Sequence, residues 1–141
     1  MMTEKYKILG TFIKDMSSET KDSETYIFVK ENISKYQLEI NITSKAIKNK
    51  LIEVNTILKF EDKKESKHKS YFEMTYATIV QIDEDIKDKK DLEKIILCDV
   101  QLKIYPELEK SFLDLLNNSG YTGVKFEKKI DFEKLYSQRF T

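Results

Sequence analysis

The chain has 141 residues, and its 25 Lys+Arg balance its 25 Asp+Glu. A single domain over residues 1–141 is expected, and the missing surplus of positive charge argues against a nucleic-acid coat or a polybasic membrane binder. No apolar run is long enough to cross a bilayer and Met1 to Gly10 lacks an apolar signal core, so no membrane insertion is expected and a cytoplasmic address is the simplest reading.

The first two-thirds read as strands. Tyr6, Ile8 and Phe12 alternate with Lys7 and Thr11, which predicts a half-buried strand from about Tyr6 to Lys14. Asp15 to Glu24 is polar and turn-rich, and Tyr26 to Val29 forms an apolar island in a polar connection. Tyr36, Leu38, Ile40 and Ile42 alternate with polar residues and give the cleanest strand signal. Ile52 to Phe60 and Phe72 to Ile82 repeat the pattern, and the charged run Glu61 to Lys69 between them is a hairpin loop. Strands with one polar face and short links imply an antiparallel sheet covered on one side.

The last third supplies the cover. Asp83 to Lys94 is a mixed charge run that reads as a solvated loop leading into a helix start. Leu92, Ile95, Ile96 and Val100 follow helical spacing. Leu108, Phe112, Leu115 and Leu116 then share one helical face. Pro106 suits the first turn of a new helix, or the kink of one long helix from about Leu92 to Asn118. Gly120 is placed to end that helix in the left-handed conformation. A short extended stretch follows at Gly123 to Phe126, and Asp131 is a good N-cap for a terminal helix from about Phe132 to Arg139. The expected class is α+β: a four-stranded antiparallel sheet with a long helix, kinked or broken near Pro106, and a short C-terminal helix.

Chemistry-bearing residues are scarce. Cys98 and His68 are each the only one of their kind, so Cys and His cannot build a zinc site within one chain, and the three glycines form no phosphate cradle. His68 sits in a charged loop with no nucleophile placed beside it. No catalytic residue, metal or cofactor is therefore expected, and the chain does not read as an enzyme. Asp15, Glu19, Asp22 and Glu24 crowd within ten residues, as a solvated loop or as a docking surface for a basic partner. Tyr26, Phe28, Val29, Ile33, Val124 and Phe126 fall in expected connections, where exposing a large apolar side chain costs about 1.5–3 kcal/mol. They are either ordinary core or the lining of an apolar groove. Edge strands of a four-stranded sheet call for cover, and pairing between copies would provide it.

Read in order, three places resemble the SecB family of preprotein-translocation chaperones. These are Lys14-Asp-Met-Ser-Ser-Glu19, Phe28-Val-Lys-Glu31 before the strand at Leu38, and Tyr105-Pro106 with its helix to Gly120 followed by Asp131-Phe-Glu-Lys-Leu-Tyr136. The resemblance spans about Tyr6 to Phe140. It implies a homo-oligomer, a dimer of dimers, that holds unfolded polypeptides without ATP in apolar grooves. Tyr26, Phe28, Val29 and Ile33 would line one side of a groove, and Val124, Phe126, Phe132 and Tyr136 the other. Asp15 and Glu19 match acidic positions at which family members meet the SecA motor. Other SecB-like relatives serve an antitoxin as a dedicated client. The chain departs from family members that serve secretion in its zero net charge and in the charged Asp83 to Lys94. A binding module for a small apolar ligand, enclosed between sheet and helix, is the alternative reading.

Overall fold

The computed structural model describes residues 5–64, 66–126 and 129–138. Four strands, β1 (Tyr6–Glu19), β2 (Gln37–Lys48), β3 (Leu51–Glu61) and β4 (Tyr71–Ile82), form one antiparallel sheet in the order β1-β4-β3-β2. β2, β3 and β4 are a meander. β1 sits beside β4, so the chain must cross from one edge of the sheet to the other before β2 begins. The crossover contains the helix α1 (Ser23–Glu31) and a 3-10 turn at Ile33–Lys35.

β1 runs five residues past the expected end at Lys14. Asp15 to Glu19 pair with Thr75 to Tyr71 of β4 instead of turning. Their polar character, which reads as a turn, belongs to an edge strand that faces water and carries irregularities between Ile8 and Gly10 and between Ile13 and Asp15. The apolar island is likewise helix rather than connection. Asp22 accepts from the Thr25 amide at 2.8 Å as N-cap, and Thr25 and Val29, one turn apart, form the buried side of α1. A run this short does not reveal its period.

Residues 62–64 and 66–70 lie outside the strands, where the charge run placed a loop. After β4, α2 (Lys89–Lys94), a π-helical turn at Ile95–Asp99 and α3 (Val100–Asn118) follow without a break, since the junction residues all keep right-handed helical angles. The helix therefore starts three residues before Leu92. It continues through Pro106, and its departure from α geometry lies a turn or more upstream, at Ile95–Asp99. Pro106 takes away the amide that Leu102 would bond, and both residues are on the exposed side of the helix, where water replaces it. The helix ends in a Schellman arrangement: Tyr121 N–H donates to the Leu116 carbonyl at 3.0 Å and Gly120 N–H to that of Asn117 at 3.1 Å, with Gly120 at φ 99°. α4 (Phe132–Gln138) is the last described element, and its expected end at Arg139 lies outside the described residues.

The core lies between the helix and one face of the sheet. Val100, Ile104, Leu108, Phe112 and Leu116 meet Val54, Leu58 and Phe60 of β3 and Phe72, Met74 and Val80 of β4. Alternation sends Glu53, Asn55, Ile57 and Lys59 to the opposite face, which none of the described elements covers.

Candidate functional site

The crossover from β1 to β2 and the segment after α3 approach each other over one end of the sheet. Between them lies a groove of about 900 Å³ lined by Ile33, Ser34, Tyr36, Gln37, Leu38, Phe60, Gly123, Val124, Lys125, Phe126, Lys129 and Ile130. Its apolar wall is an aromatic chain. Phe60 packs on Tyr36 with centroids 5.5 Å apart and meets Phe126 edge-on at 5.5 Å, and Phe126 reaches Phe112 of α3 at 6.1 Å. Ring contacts of this kind prefer tilted and edge-on geometry, which joins the two sides of the wall.

Polar ties hold the same two segments in register. Thr20, Ser70 and Tyr121 hydroxyls form a triangle of 2.6, 3.0 and 3.0 Å that joins the ends of β1, β4 and the helix. The Ser70 amide donates to the Tyr36 hydroxyl at 3.1 Å, and burial pushes the Tyr36 phenol above its usual range. Tyr26 Oη donates to the Gly120 carbonyl at 2.8 Å while its ring packs on Tyr121 at 5.2 Å. α1 is thereby pinned to the C-terminal end of α3.

The structure sorts the eight apolar residues expected at the groove. It brings Ile33, Val124 and Phe126 together there. Val29 is wholly buried in the core beneath α1 and has no surface to offer. Tyr26 is a bracing residue behind the wall. Phe28 is 38% exposed but packs on His68 at 5.7 Å rather than lining the groove. Phe132 is buried edge-on against Tyr105, and Tyr136 donates to the Lys90 carbonyl at 3.4 Å, so α4 docks on the first part of the long helix. α4 packs on the π turn rather than over the groove. Tyr36, Leu38 and Phe60 sit in regular strand alternation, which reads as core, and Ile130 has no pattern that marks it. The sequence signal at Tyr36 and Leu38 is their position where the crossover enters β2.

Asp15 and Glu19 lie on β1 opposite Thr75 and Tyr71, on the uncovered face of the sheet and away from the groove lining. Asp22, the third acid of that cluster, is spent on the cap of α1, and its hydrogen bonds to Thr25 hold its carboxyl below the usual range. The uncovered face carries mixed charge. Lys14 pairs with Glu53 at 2.8 Å, Lys63 with Glu39 at 2.6 Å and Lys59 with Glu73 at 3.7 Å. Among the described residues no cluster of acids, His and Cys is arranged to hold a metal ion, and no helix is long and apolar enough to cross a membrane.

Residues 2–141 match the family described as preprotein translocase subunit SecB. The chain belongs to the SecB family. A putative protein-export protein SecB of Pelagibacter ubique (strain HTCC1062) is 65% identical over 138 residues, which cover 98% of this chain and 99% of that one. Among solved structures, a SecB-like chaperone of Mycobacterium tuberculosis in complex with a ChAD peptide from an antitoxin superposes with a TM-score of 0.67, covering 89% of this chain and 88% of that one. Its sequence is 11% identical, so it shares the SecB fold and nothing finer.

Proposed function

We propose that this SecB-family protein is an ATP-independent chaperone of protein export that holds unfolded polypeptides in the groove between residues 33–38 on one side and residues 123–126, 129 and 130 on the other. The observation that carries the reading is the groove itself: an aromatic wall with an exposed rim at Gly123, Lys125 and Lys129, in a chain that matches the family over nearly its whole length. Apolar client side chains would leave water against Tyr36, Phe60 and Phe126. β2 is an edge strand whose outward main-chain groups begin beside the groove, so an extended client could add hydrogen bonds there. A rim open to solvent suits a continuous chain better than a small apolar ligand, which a closed cavity would serve. The relative's export function and the neighbour's bound antitoxin peptide support a polypeptide client.

Assembly follows from the other edge. β1 exposes Leu9, Phe12, Ile13 and Met16, and α3 exposes Leu102, at 44–57% of their surface. A second copy covering these residues would make the homo-oligomer, and several grooves on one particle would raise the avidity for a long chain. Asp15 and Glu19, on the uncovered face, are the proposed contact for the SecA motor.

The test is size-exclusion chromatography with light scattering, with and without a reduced, unfolded test protein. An oligomer that captures the unfolded chain and ignores its native form supports the reading. A monomer that captures nothing overturns it.

A further inference from the structure

Each bank of the groove is rooted in a tyrosine, and one short stretch of the sheet holds both. Tyr36 stands where the crossover enters β2 and lines the groove. Tyr121 lies just ahead of Gly123 and Val124, where the other bank begins. Ser70, at the start of β4, reaches both hydroxyls: its amide donates to Tyr36 Oη at 3.1 Å, and its Oγ lies 3.0 Å from Tyr121 Oη. Phe72 of β4 packs on both rings edge-on, with centroids 6.2 Å from Tyr36 and 5.3 Å from Tyr121. All four side chains are buried. Neither ring can slide along Phe72 without leaving Ser70, and a hydroxyl that leaves strands a buried polar group at a cost of about 1–3 kcal/mol. β4 is an interior strand, so the separation of the two roots is set by the sheet and not by the connections that carry the banks.

We propose that Ser70 and Phe72 gauge the groove: they fix the spacing of its banks at Tyr36 and Tyr121, and so limit the size of the apolar side chain that a client can insert. This rests on the groove being the client site. Ser70 lies outside the lining and acts through the two tyrosines, as a positioning residue. A client side chain that fits gains affinity with its apolar area. A larger one must part the banks, and overpacking with broken ties at Ser70 offsets the extra area. Selection by size therefore comes from the buried hydroxyl ties and not from the residues a client touches.

The experiment is isothermal titration calorimetry with peptides that share one polar frame and carry a single central leucine, phenylalanine, 1-naphthylalanine or 1-pyrenylalanine. In the wild type, affinity is expected to rise along the series and then fall about fivefold at the pyrenyl peptide. Tyr121→Phe keeps the ring on Phe72 and removes the hydroxyl. It should raise the ratio of pyrenyl to phenylalanine affinity about tenfold. Ser70→Ala leaves Thr20 on Tyr121 Oη at 3.0 Å and the amide on Tyr36, and should raise the ratio about threefold. Gln101→Leu, which strands buried groups elsewhere in the core, should leave the ratio within about twofold. A wild-type affinity that climbs through the whole series overturns the proposal. So does a ratio that the hydroxyl variants leave unchanged, or that Gln101→Leu moves as far. The phenylalanine peptide separates the two readings. If its binding is lost in an Ile33→Ser, Val124→Ser variant but the ratio ignores Tyr121→Phe and Ser70→Ala, only the gauge fails. If it does not bind the wild type, or binds that variant equally well, the groove assignment fails and the gauge with it.

Discussion

Thr56 of β3 donates its hydroxyl to Gln101 Oε1 at 2.9 Å, and both residues are wholly buried. Gln101 Nε2 in turn donates to the Ile96 carbonyl at 3.2 Å, inside the π turn. One side chain thus bridges the sheet to the place where the long helix leaves α geometry. The π turn inserts a residue into the helical ladder. Gln101 occupies the one core position on α3 where a polar group both meets a partner on the sheet and serves a carbonyl of that turn.

Replacing Gln101 by Leu should keep the volume and orphan two buried groups. Each orphan costs about 1–3 kcal/mol, so a loss of about 2–4 kcal/mol is expected in urea unfolding at fixed protein concentration. Adding Thr56→Val removes one orphan and should recover part of that loss. A Gln101→Leu protein as stable as the wild type would mean that the bridge contributes nothing.

Gly120 carries a second structural demand besides its φ. A Cβ there would lie 2.8 Å from Tyr26 Cε1, inside contact distance. Gly120→Ala should push Tyr26 off Tyr121 and cost about 1–3 kcal/mol, from backbone strain and overpacking together. Protease cleavage should rise within residues 20–35, because α1 loses its tie to the end of α3.

Much of this architecture is legible in sequence, and the failures have physical causes. β3 and β4 alternate cleanly because one face is buried and the other wet, and β2 does so over Leu38, Ile40 and Ile42 before its far half runs out into solvent. β1 and α1 read poorly: an edge strand needs polar residues that resemble a turn, and a nine-residue helix has two buried positions, too few to show a period. For the groove, Ile33, Val124 and Phe126 were readable because apolar residues outside regular elements need a reason. Tyr36 and Phe60 were not, since a strand residue at a groove has the same pattern as one in the core.

The groove variants follow from that distinction. Ile33→Ser with Val124→Ser should weaken capture of an unfolded chain about tenfold, through lost apolar contact, while the oligomer persists. Phe28→Ser should leave capture within about twofold, since Phe28 rests on His68 outside the lining. Equal losses in both variants would move the client site out onto α1.

Glu53 gives the chain a small acid sensitivity. Hydrogen bonds from Lys14 at 2.8 Å and Asn55 at 3.0 Å hold its carboxyl below the ordinary carboxylate value. A depressed folded value means that the stabilisation is complete above the unfolded carboxylate range and is lost as pH falls through the folded one. The stability gap between wild type and Glu53→Gln should therefore be largest near neutral pH and close in acid, as read from denaturation midpoints.

Cys98 offers a readout that needs no label on the groove. It is buried in the π turn, and burial raises its thiol above the usual range, so the reactive thiolate is scarce in the folded protein. Alkylation at mildly alkaline pH should be negligible under native conditions and rapid in urea. Fast labelling of the folded protein would show that the π turn opens locally.

The position of β1 beside β4 also has a temporal meaning. Tyr6 pairs with Ile82, and Phe12 with Ala77, so β1 leaves the ribosome before β2 and β3 yet has no partner until β4 has followed them. The β2-β3-β4 meander can close from neighbouring residues, whereas β1 must wait and then pay the entropy of a long loop. During that interval its apolar residues, Ile8, Leu9, Phe12, Ile13 and Met16, stand in the same condition as the client segments assigned to the groove. A protein proposed to shelter unfinished chains would itself pass through that state at every synthesis.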